Sequence, residues 1–432
     1  MHESRNVTPL SSDLADVLSP EAAIQPLLFC LYFGQSNVGN AGGDPTPGIT
    51  GDDFPDHFLK LGPLRSWAQD YAEGEASLDP DRQQLFPYFN PGNRLFPLTC
   101  MGVAYEAGLR RTGKKSGGII GHTVWWGAQN IDRFLKGTPQ YQHALAAVAS
   151  ARCAAEGIGR HIQVAIFWCH GENMTPNYLS DLTQLYLDIR EDVRIAAGSA
   201  SPPHFIIQQI NCGDANSLMS PSAQAQYFFM KQNNPGAYSC GPMYDCPLAD
   251  NIHSSSLGRM VQGARHAHAL DAIMRGLPPT GLRPASITRL DTKTVRVNWL
   301  LPPDATEISW SDWIPAVPQC GFEILTTDGM YLPLADIAIT GATCLDLKLL
   351  SPPPEETLLL RAGMQITSNT VPDGWSNGRT TLEARTTYRT HWHDLGYQVP
   401  EFVAYPAMRF EETIPPSSLD DEHVENSTSL IS

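Results

Sequence analysis

The sequence predicts a two-part chain: an α/β domain on a parallel sheet with helices on both faces, followed by a smaller all-β sandwich. Three observations predict it. Apolar, strand-like runs alternate with helix-like segments up to about residue 277, the pattern of a parallel sheet covered by helices. A Pro- and Gly-rich stretch then interrupts the chain. Beyond it, short alternating segments lie between Pro- and Gly-rich turns without helical periodicity, the pattern of an antiparallel sandwich. The 432 residues leave room for two or three domains.

In chain order, residues 1–25 read as a polar lead-in, and the α/β domain is assigned to 26–277. Leu27–Phe33 is an apolar strand bounded by Gly34. Met101–Arg111 reads as a helix and Gly118–Val124 as a short strand. Gln142–Ala155 is rich in good helix formers. Ile162–Trp168 is a second buried strand. Leu179–Ile195 carries Leu182, Leu185, Ile189 and Val193 at helical spacing. His204–Ile210 is a third apolar strand, and Leu257–Arg275 a closing helix. The run from Gly276 to Pro284 holds three prolines and two glycines, which places a linker at 278–284. Thr294–Trp299, Gly321–Leu325 and Leu358–Ala362 are strands of a β-sandwich over 285–410. Residues 411–432 are acidic and Ser-rich and read as a disordered tail.

Composition narrows the function. Twenty-nine basic against 45 acidic residues give a net charge of −16. Such a surface repels phosphate backbones and anionic lipid, so no nucleic-acid partner is expected. The longest apolar run, around Pro26–Phe33, is far short of the roughly 20 residues a membrane span needs, so no membrane insertion is expected either. The first 25 residues carry Glu3, Asp13, Asp16 and Glu21 and lack the basic-then-apolar layout of a secretory leader. Nine cysteines without a CxxC pair form neither a disulfide framework nor a zinc pattern. Cys240 and Cys246 could bridge, but buried thiols in a reducing, cytoplasmic compartment fit better. His266 and His268 lie two apart on a helix and do not face one another; His391 and His393 lack a third ligand. No metal is expected. Asn40–Asp44 is Gly-rich but lacks the P-loop lysine and the dinucleotide fingerprint, so no cofactor is expected.

Four blocks carry chemistry. Gly34-Gln35-Ser36-Asn37 follows the first strand, and a serine on a Gly-containing turn there is placed as an exposed nucleophile. The following residues can start a helix whose backbone N–H groups stabilise an oxyanion. The plainer reading is a strand-to-helix turn with Ser36 as N-cap. Asp250-Asn251-Ile252-His253 can supply a base and its orienting carboxylate from one loop; the alternative is a surface turn. Cys169-His170-Gly171-Glu172-Asn173 follows a central strand, where a side-chain amide could donate to an oxyanion. Trp125-Trp126-Gly127-Ala128-Gln129-Asn130 follows Val124, and its glycine exposes a backbone N–H. Its tryptophans suit sugar stacking or the core equally, as do Tyr32 and Phe33.

Together, the G-Q-S-N block, a later strand ending in W-x-x-G-E and a terminal D-x-x-H resemble the SGNH hydrolase superfamily. Within it they are closest to the sialate O-acetylesterase and acetylxylan-esterase-like group. The resemblance covers roughly residues 27–275, a little under 60% of the chain. Gly102-Val103-Ala104-Tyr105 also looks like that group's helix before the glycine block. The resemblance implies a flavodoxin-like, three-layer αβα hydrolase domain. It implies Ser36 as nucleophile, His253 as base and Asp250 as its orienting partner. The N–H groups of Ser36 and Gly127 and the Asn173 side chain would form the oxyanion hole, with Gly121 the alternative glycine. Two positions depart from the group: His170 stands where Gln is usual, and Asn173 where a small residue or Ser is usual. Gly171-Glu172-Asn173 does fit the broader Gly-x-Asn pattern, which favours Asn173 over His170 as donor. Gln35, Glu172 and Trp126 are candidates for substrate contact or loop support.

The resemblance implies a serine esterase removing small acyl groups, mostly acetyl, from a carbohydrate through an acyl-enzyme, without cofactor. Two other readings remain. One is a non-catalytic glycan-binding or structural protein on the same scaffold; the intact Ser36, Asp250 and His253 set speaks against it. The other is a general short-chain carboxylesterase or lipase, which a long apolar lid segment would favour. All four blocks precede the linker, so residues 1–277 are expected to hold the whole catalytic set and 285–410 to serve binding or stability.

Overall fold

A computed structural model describes residues 26–39, 58–62, 84–87, 96–114, 117–173, 175–210, 221–250, 252–353, 357–364, 374–375 and 378–416. The expected lead-in, the run Asn40–Asp44, Cys212, Asn251 and residues 417–432 lie outside them. The first part is the expected α/β unit. Its seven strands are β1 (Leu27–Gly34), β2 (Phe58–Gly62), β3 (Gln84–Pro87), β4 (Ile119–Trp125), β5 (Ile162–Cys169), β6 (His204–Gln209) and β7 (Ala237–Pro242). They form one sheet in the order β3-β2-β4-β1-β5-β6-β7, parallel except for β3. Setting aside β2 and β3, the order β4-β1-β5-β6-β7 is the flavodoxin-like 2-1-3-4-5. Strand order then reverses between β1 and β5, the crevice where such sheets place their sites.

β1 is buried along its whole length, as an unbroken apolar run must be when covered on both faces. Tyr32 points to one face and hydrogen-bonds His266 (2.7 Å). Phe33 points to the other and meets Trp168, its register partner on β5, and Phe134. The helices are α1 (Pro97–Arg111), α2 (Pro139–Glu156), α3 (Tyr178–Ala196), α4 (Pro221–Lys231) and α5 (Ser256–Met274). α1 packs on α5, α2 on α3, and α3 on α4. Two begin on side-chain caps: Thr138 accepts from the Tyr141 amide ahead of α2, and Ser255 from the Gly258 amide ahead of α5. Strands β2, β3 and β7 and helix α4 escaped the sequence analysis. β7 reads Ala-Tyr-Ser-Cys-Gly-Pro and sits at the sheet edge, where a Gly-Pro ending is tolerated but weakens the apolar signal.

The second part is antiparallel throughout. Its strands are β8 (Arg283–Arg289), β9 (Thr294–Leu300), β10 (Ala305–Trp310), β11 (Phe322–Thr326), β12 (Tyr331–Leu332), β13 (Leu334–Gly341), β14 (Cys344–Leu349), β15 (Leu358–Ala362), β16 (Leu382–Arg389), β17 (Phe402–Pro406) and β18 (Phe410–Ile414). Two four-stranded sheets, β13-β14-β9-β8 and β12-β11-β15-β18, meet through Trp299, whose ring contacts Phe322 and Phe410 edge-on. A third sheet, β10-β16-β17, lies against α5. Two expected boundaries need correction. The linker 278–284 is no free tether. The Pro279 carbonyl accepts from Ser239, Leu282 bridges Ala407, and β8 has begun at Arg283. The tail does not start at 411, because Glu411–Ile414 continue β18 and pair with β15. Alternating polar residues there hid a half-buried strand behind an acidic composition.

The two parts are joined by buried polar contacts. Arg265 on α5 pairs with buried Asp245 and donates to the Ala404 carbonyl (3.0 Å). Gln209 exchanges two hydrogen bonds with the Arg409 backbone (2.8 Å each). Tyr388 donates to the Ala104 carbonyl (3.2 Å), and His268 contacts Tyr405 (2.9 Å) and Asp304 (3.0 Å). His266 is core as well, with its second nitrogen on Gln208 (2.9 Å). Cys240 and Cys246 are separate, buried thiols. No helix among the described residues is long and apolar enough to cross a membrane.

A fragment ending at residue 277 takes the Ala404 carbonyl from Arg265, the Arg409 backbone from Gln209, and Tyr405 and Asp304 from His268, and uncovers α5. It is expected to aggregate or to melt without cooperativity; a soluble fragment with a sharp melt in calorimetry contradicts this. The buried histidines predict a pH effect. Burial holds His143 down to about 4, and burial followed by His143 lowers its neighbour His122, 3.0 Å away. Unfolding returns both to the ordinary value of about 6.5. The unfolded chain thus takes up more protons between about pH 6.5 and 4. Their contribution is full above that window and lost as pH falls through it. In His143→Gln, the change in urea-unfolding free energy between about pH 7 and 5 should be less destabilising than in the parent protein. An equal or larger loss refutes the assignment.

Candidate active site

Gly34 ends β1 and leads into a single 3-10 turn, Ser36–Val38. The longer helix expected there is not among the described residues. Gly34 has φ +151°, and a Cβ at this position would collide with the Cys169 carbonyl. Only glycine lets β1 and β5 close this tightly just before the serine. Gly171 repeats the constraint across the crevice: its φ is +132°, and a Cβ would sit 2.8 Å from Ile210.

Ser36, His253 and Asp250 come together. The Ser36 Oγ lies 2.9 Å from His253 Nε2, and His253 Nδ1 lies 2.8 Å from Asp250 Oδ2. Asp250 Oδ1 accepts from the amides of Ile252 (2.8 Å) and His253 (2.7 Å). Burial works to raise the Asp250 carboxyl, but the hydrogen bonds from His253 and Ile252 outweigh it and hold it below the usual carboxylate value. Ionised, Asp250 accepts a hydrogen bond from Nδ1–H, which stays on the ring. Nε2 is then left to accept from the Ser36 hydroxyl.

The flanking amides fix this geometry. Gln35, 1% exposed, accepts through Oε1 from the amides of Gly171 (2.9 Å) and Glu172 (3.1 Å) and donates to the Gln129 carbonyl (2.7 Å). Asn37 donates to Glu172 Oε1 (2.8 Å) and the Ile252 carbonyl (3.2 Å) and accepts from the Ser254 amide (3.2 Å). Buried Arg259, on α5, donates to the carbonyls of Ser254 (3.2 Å) and Gly39 (3.0 Å). The second part of the chain also reaches this loop. The Leu248 amide donates to the Gly374 carbonyl (2.6 Å), and Trp313 Nε1 to the Asp245 carbonyl (2.8 Å). The sequence analysis missed Asn37 and Arg259 as supports. The signal was a buried arginine six residues after His253, legible only once α5 was known to be buried.

The remaining candidates divide. Gly127 lies beside Ser36, its hypothetical Cβ 3.6 Å from the Ser36 Cβ, whereas Gly121 is inside β4, paired with Cys30. Asn173 donates to the Ala128 carbonyl (2.7 Å), spanning the 127–130 and 170–173 loops. His170 is turned into the core. Its ring stacks on Trp168, and its nitrogens contact the Gln129 carbonyl (3.1 Å) and Tyr178 (3.3 Å). Burial drives its pKa down to about 3, so it is neutral and its N–H is committed. Glu172 is raised by burial against the lowering effects of Asn37, its own amide and His253. Tyr32 and Phe33 are fully buried and stack on no sugar; they complete the sheet core. Trp126 is half-buried, packed against the core. Trp125 is also half-buried, and a Cβ at Gly39 would sit 2.5 Å from its ring.

No protein-family model matches the chain, and no curated protein does. Solved structures do. A carbohydrate acetylesterase from Xanthomonas citri aligns over 89% of this chain and 80% of its own length, at 15% identity and a TM-score of 0.54. A protein from Arabidopsis thaliana aligns over 57% of this chain and 98% of its own, at 15% identity and a TM-score of 0.40. The first match shows a shared fold: a parallel α/β sheet followed by antiparallel β-sheets.

Gln35→Ala orphans two buried amides and removes a donor from the Gln129 carbonyl. Each orphaned buried group costs about 1–3 kcal/mol. The variant should therefore lose at least about 2 kcal/mol in urea unfolding. A loss below about 0.5 kcal/mol, within the range of an ordinary surface substitution, means that Gln35 does not hold the loops.

Proposed function

We propose that the chain is an SGNH-type serine esterase of the sialate O-acetylesterase and acetylxylan-esterase-like group, removing O-acetyl groups from a carbohydrate. The observation that carries this reading is the Ser36–His253–Asp250 relay, with both contacts at hydrogen-bond distance. A fold shared with a carbohydrate acetylesterase fits it, and the carbohydrate rests on that and on the G-Q-S-N resemblance.

In this reading Ser36 Oγ attacks the ester carbonyl carbon while its proton passes to His253 Nε2. The imidazolium so formed is stabilised by Asp250. The carbonyl π-electrons move onto oxygen, and that oxyanion is held by the N–H groups of Ser36 and Gly127 and by the Asn173 amide, which has a second N–H besides the one given to Ala128. The tetrahedral species collapses, the bond to the sugar oxygen breaks, and His253 returns the proton to the departing hydroxyl. Water then attacks acyl-Ser36, with His253 as base, releasing acetate and regenerating the serine. No metal or organic cofactor enters this scheme.

Ser36→Ala is expected to lower turnover of p-nitrophenyl acetate by about 10⁴-fold or more, with an unchanged melting temperature. Asp250→Asn should lose about 10³–10⁴-fold, because the amide no longer holds the Nδ1 tautomer. Rates across acetate, butyrate and octanoate esters should fall with chain length. A Ser36→Ala protein retaining a tenth of the parent activity removes Ser36 as nucleophile, and a preference for octanoate replaces acetyl with a lipase-like substrate.

A further inference from the structure

The sheet β10-β16-β17 has one face committed to α5 and one left over. Its leftover face carries Glu307, Arg385 and Thr387, all exposed, and Trp310 stands at its end, 38% exposed. Two adjoining hollows lie here, of about 490 and 330 Å³. They share Asp312, Arg385 and Phe402. Trp310 lines the larger and Trp313 the smaller. Indole and phenyl rings thus flank a strip of carboxylate and guanidinium groups.

We propose that this groove is a second binding site, for a segment of neutral, O-acetylated polysaccharide. The chemistry matches. Apolar faces of sugar rings stack on Trp310 and Phe402, while ring hydroxyls donate to carboxylates and accept from a guanidinium. Arg385 is already held in place by Asp312 (2.8 Å) and Glu383 (3.0 Å), so little freedom is lost when it binds. The volumes suit a short run of sugars. Glu307, Asp312 and Glu401 outnumber Arg385 along the lining, so the groove repels polyanions and favours an uncharged chain. Trp313 closes the smaller hollow, and its Nε1 is bonded to Asp245 on the loop leading to Asp250. The site therefore borders the catalytic loop without sharing a residue with the relay. The acetyl groups, but not the sugar chain, rest on the esterase reading above.

Binding is tested on the full chain carrying Ser36→Ala, so that no ester is cleaved during the measurement. Native gels contain acetylated xylan, acetylated glucomannan or polygalacturonate. Retardation in one or both neutral gels is expected, but none by polygalacturonate. Adding Trp310→Ala should weaken retardation on the order of tenfold, while Trp310→Phe, which keeps a ring, should largely retain it and guards against misfolding. In the chain with Ser36 intact, Trp310→Ala should leave p-nitrophenyl acetate turnover within twofold. No retardation in either neutral gel, retardation by polygalacturonate alone, or equal retardation of Trp310→Ala overturns the proposal. A parent protein inactive on p-nitrophenyl acetate overturns the esterase reading instead, whatever the gels show.

Discussion

One buried carboxamide holds the site together. Gln35 sits beside Ser36 in the chain, yet its side chain turns inward and ties the loops after β4 and β5 to the turn after β1. No other group of that length can do so. Two backbone amides demand an acceptor and one carbonyl demands a donor, and only an amide side chain offers both. A glutamate would satisfy the first and repel the second. Two residues on, Asn37 does the same for the loop carrying His253. Ser36 is thus held between two inward-facing amides, and its hydroxyl is the one polar group of the three aimed at the His253 ring. The arrangement is all-or-none, because a partly satisfied buried polar network is worse than none.

The same network separates two carboxylates that lie near His253. Asp250 is half exposed and takes three hydrogen bonds from its own turn, which hold it ionised against burial. Glu172 is enclosed; burial raises it, and one of its oxygens has no partner among the described residues. The opposite shifts of the two carboxylates let one hold His253 while the other clasps the loops.

Much of this was legible in the sequence, for identifiable reasons. β1, β5 and β6 are apolar runs that only a doubly covered strand explains, and the blocks at the ends of β1 and β5 mark the crevice between them. The Asp250–His253 spacing was legible because the contact is local. What was hidden depends on distant partners. Arg259 looks like an ordinary helix charge until Gly39 and Ser254 are found beside it. His170 looked like a donor until its nitrogens were found committed to Gln129 and Tyr178. β18 hid behind its acidic composition, although Phe410 and Ile414 mark a buried stripe.

The least supported part of the relay is the loop after β7. It leaves an edge strand, and among the described residues its regular pairing is the bridge between Leu248 and Ser254. A base must be held to about 0.5 Å to work, which such a loop does not achieve alone. Further anchors are Asn37, Arg259 and Arg265 from the α/β part and, from the β part, the Gly374 carbonyl, Trp313, and Thr380 and the Ala407 carbonyl, which meet the Tyr244 hydroxyl. The boundary of the α/β fold is therefore not the boundary of the site. The residues proposed to do chemistry all precede residue 277, but the β part supplies several of the fixed points that set where His253 stands. A substitution at Trp313 thus acts on the relay through Asp245, and a division of labour drawn at the linker would misplace it.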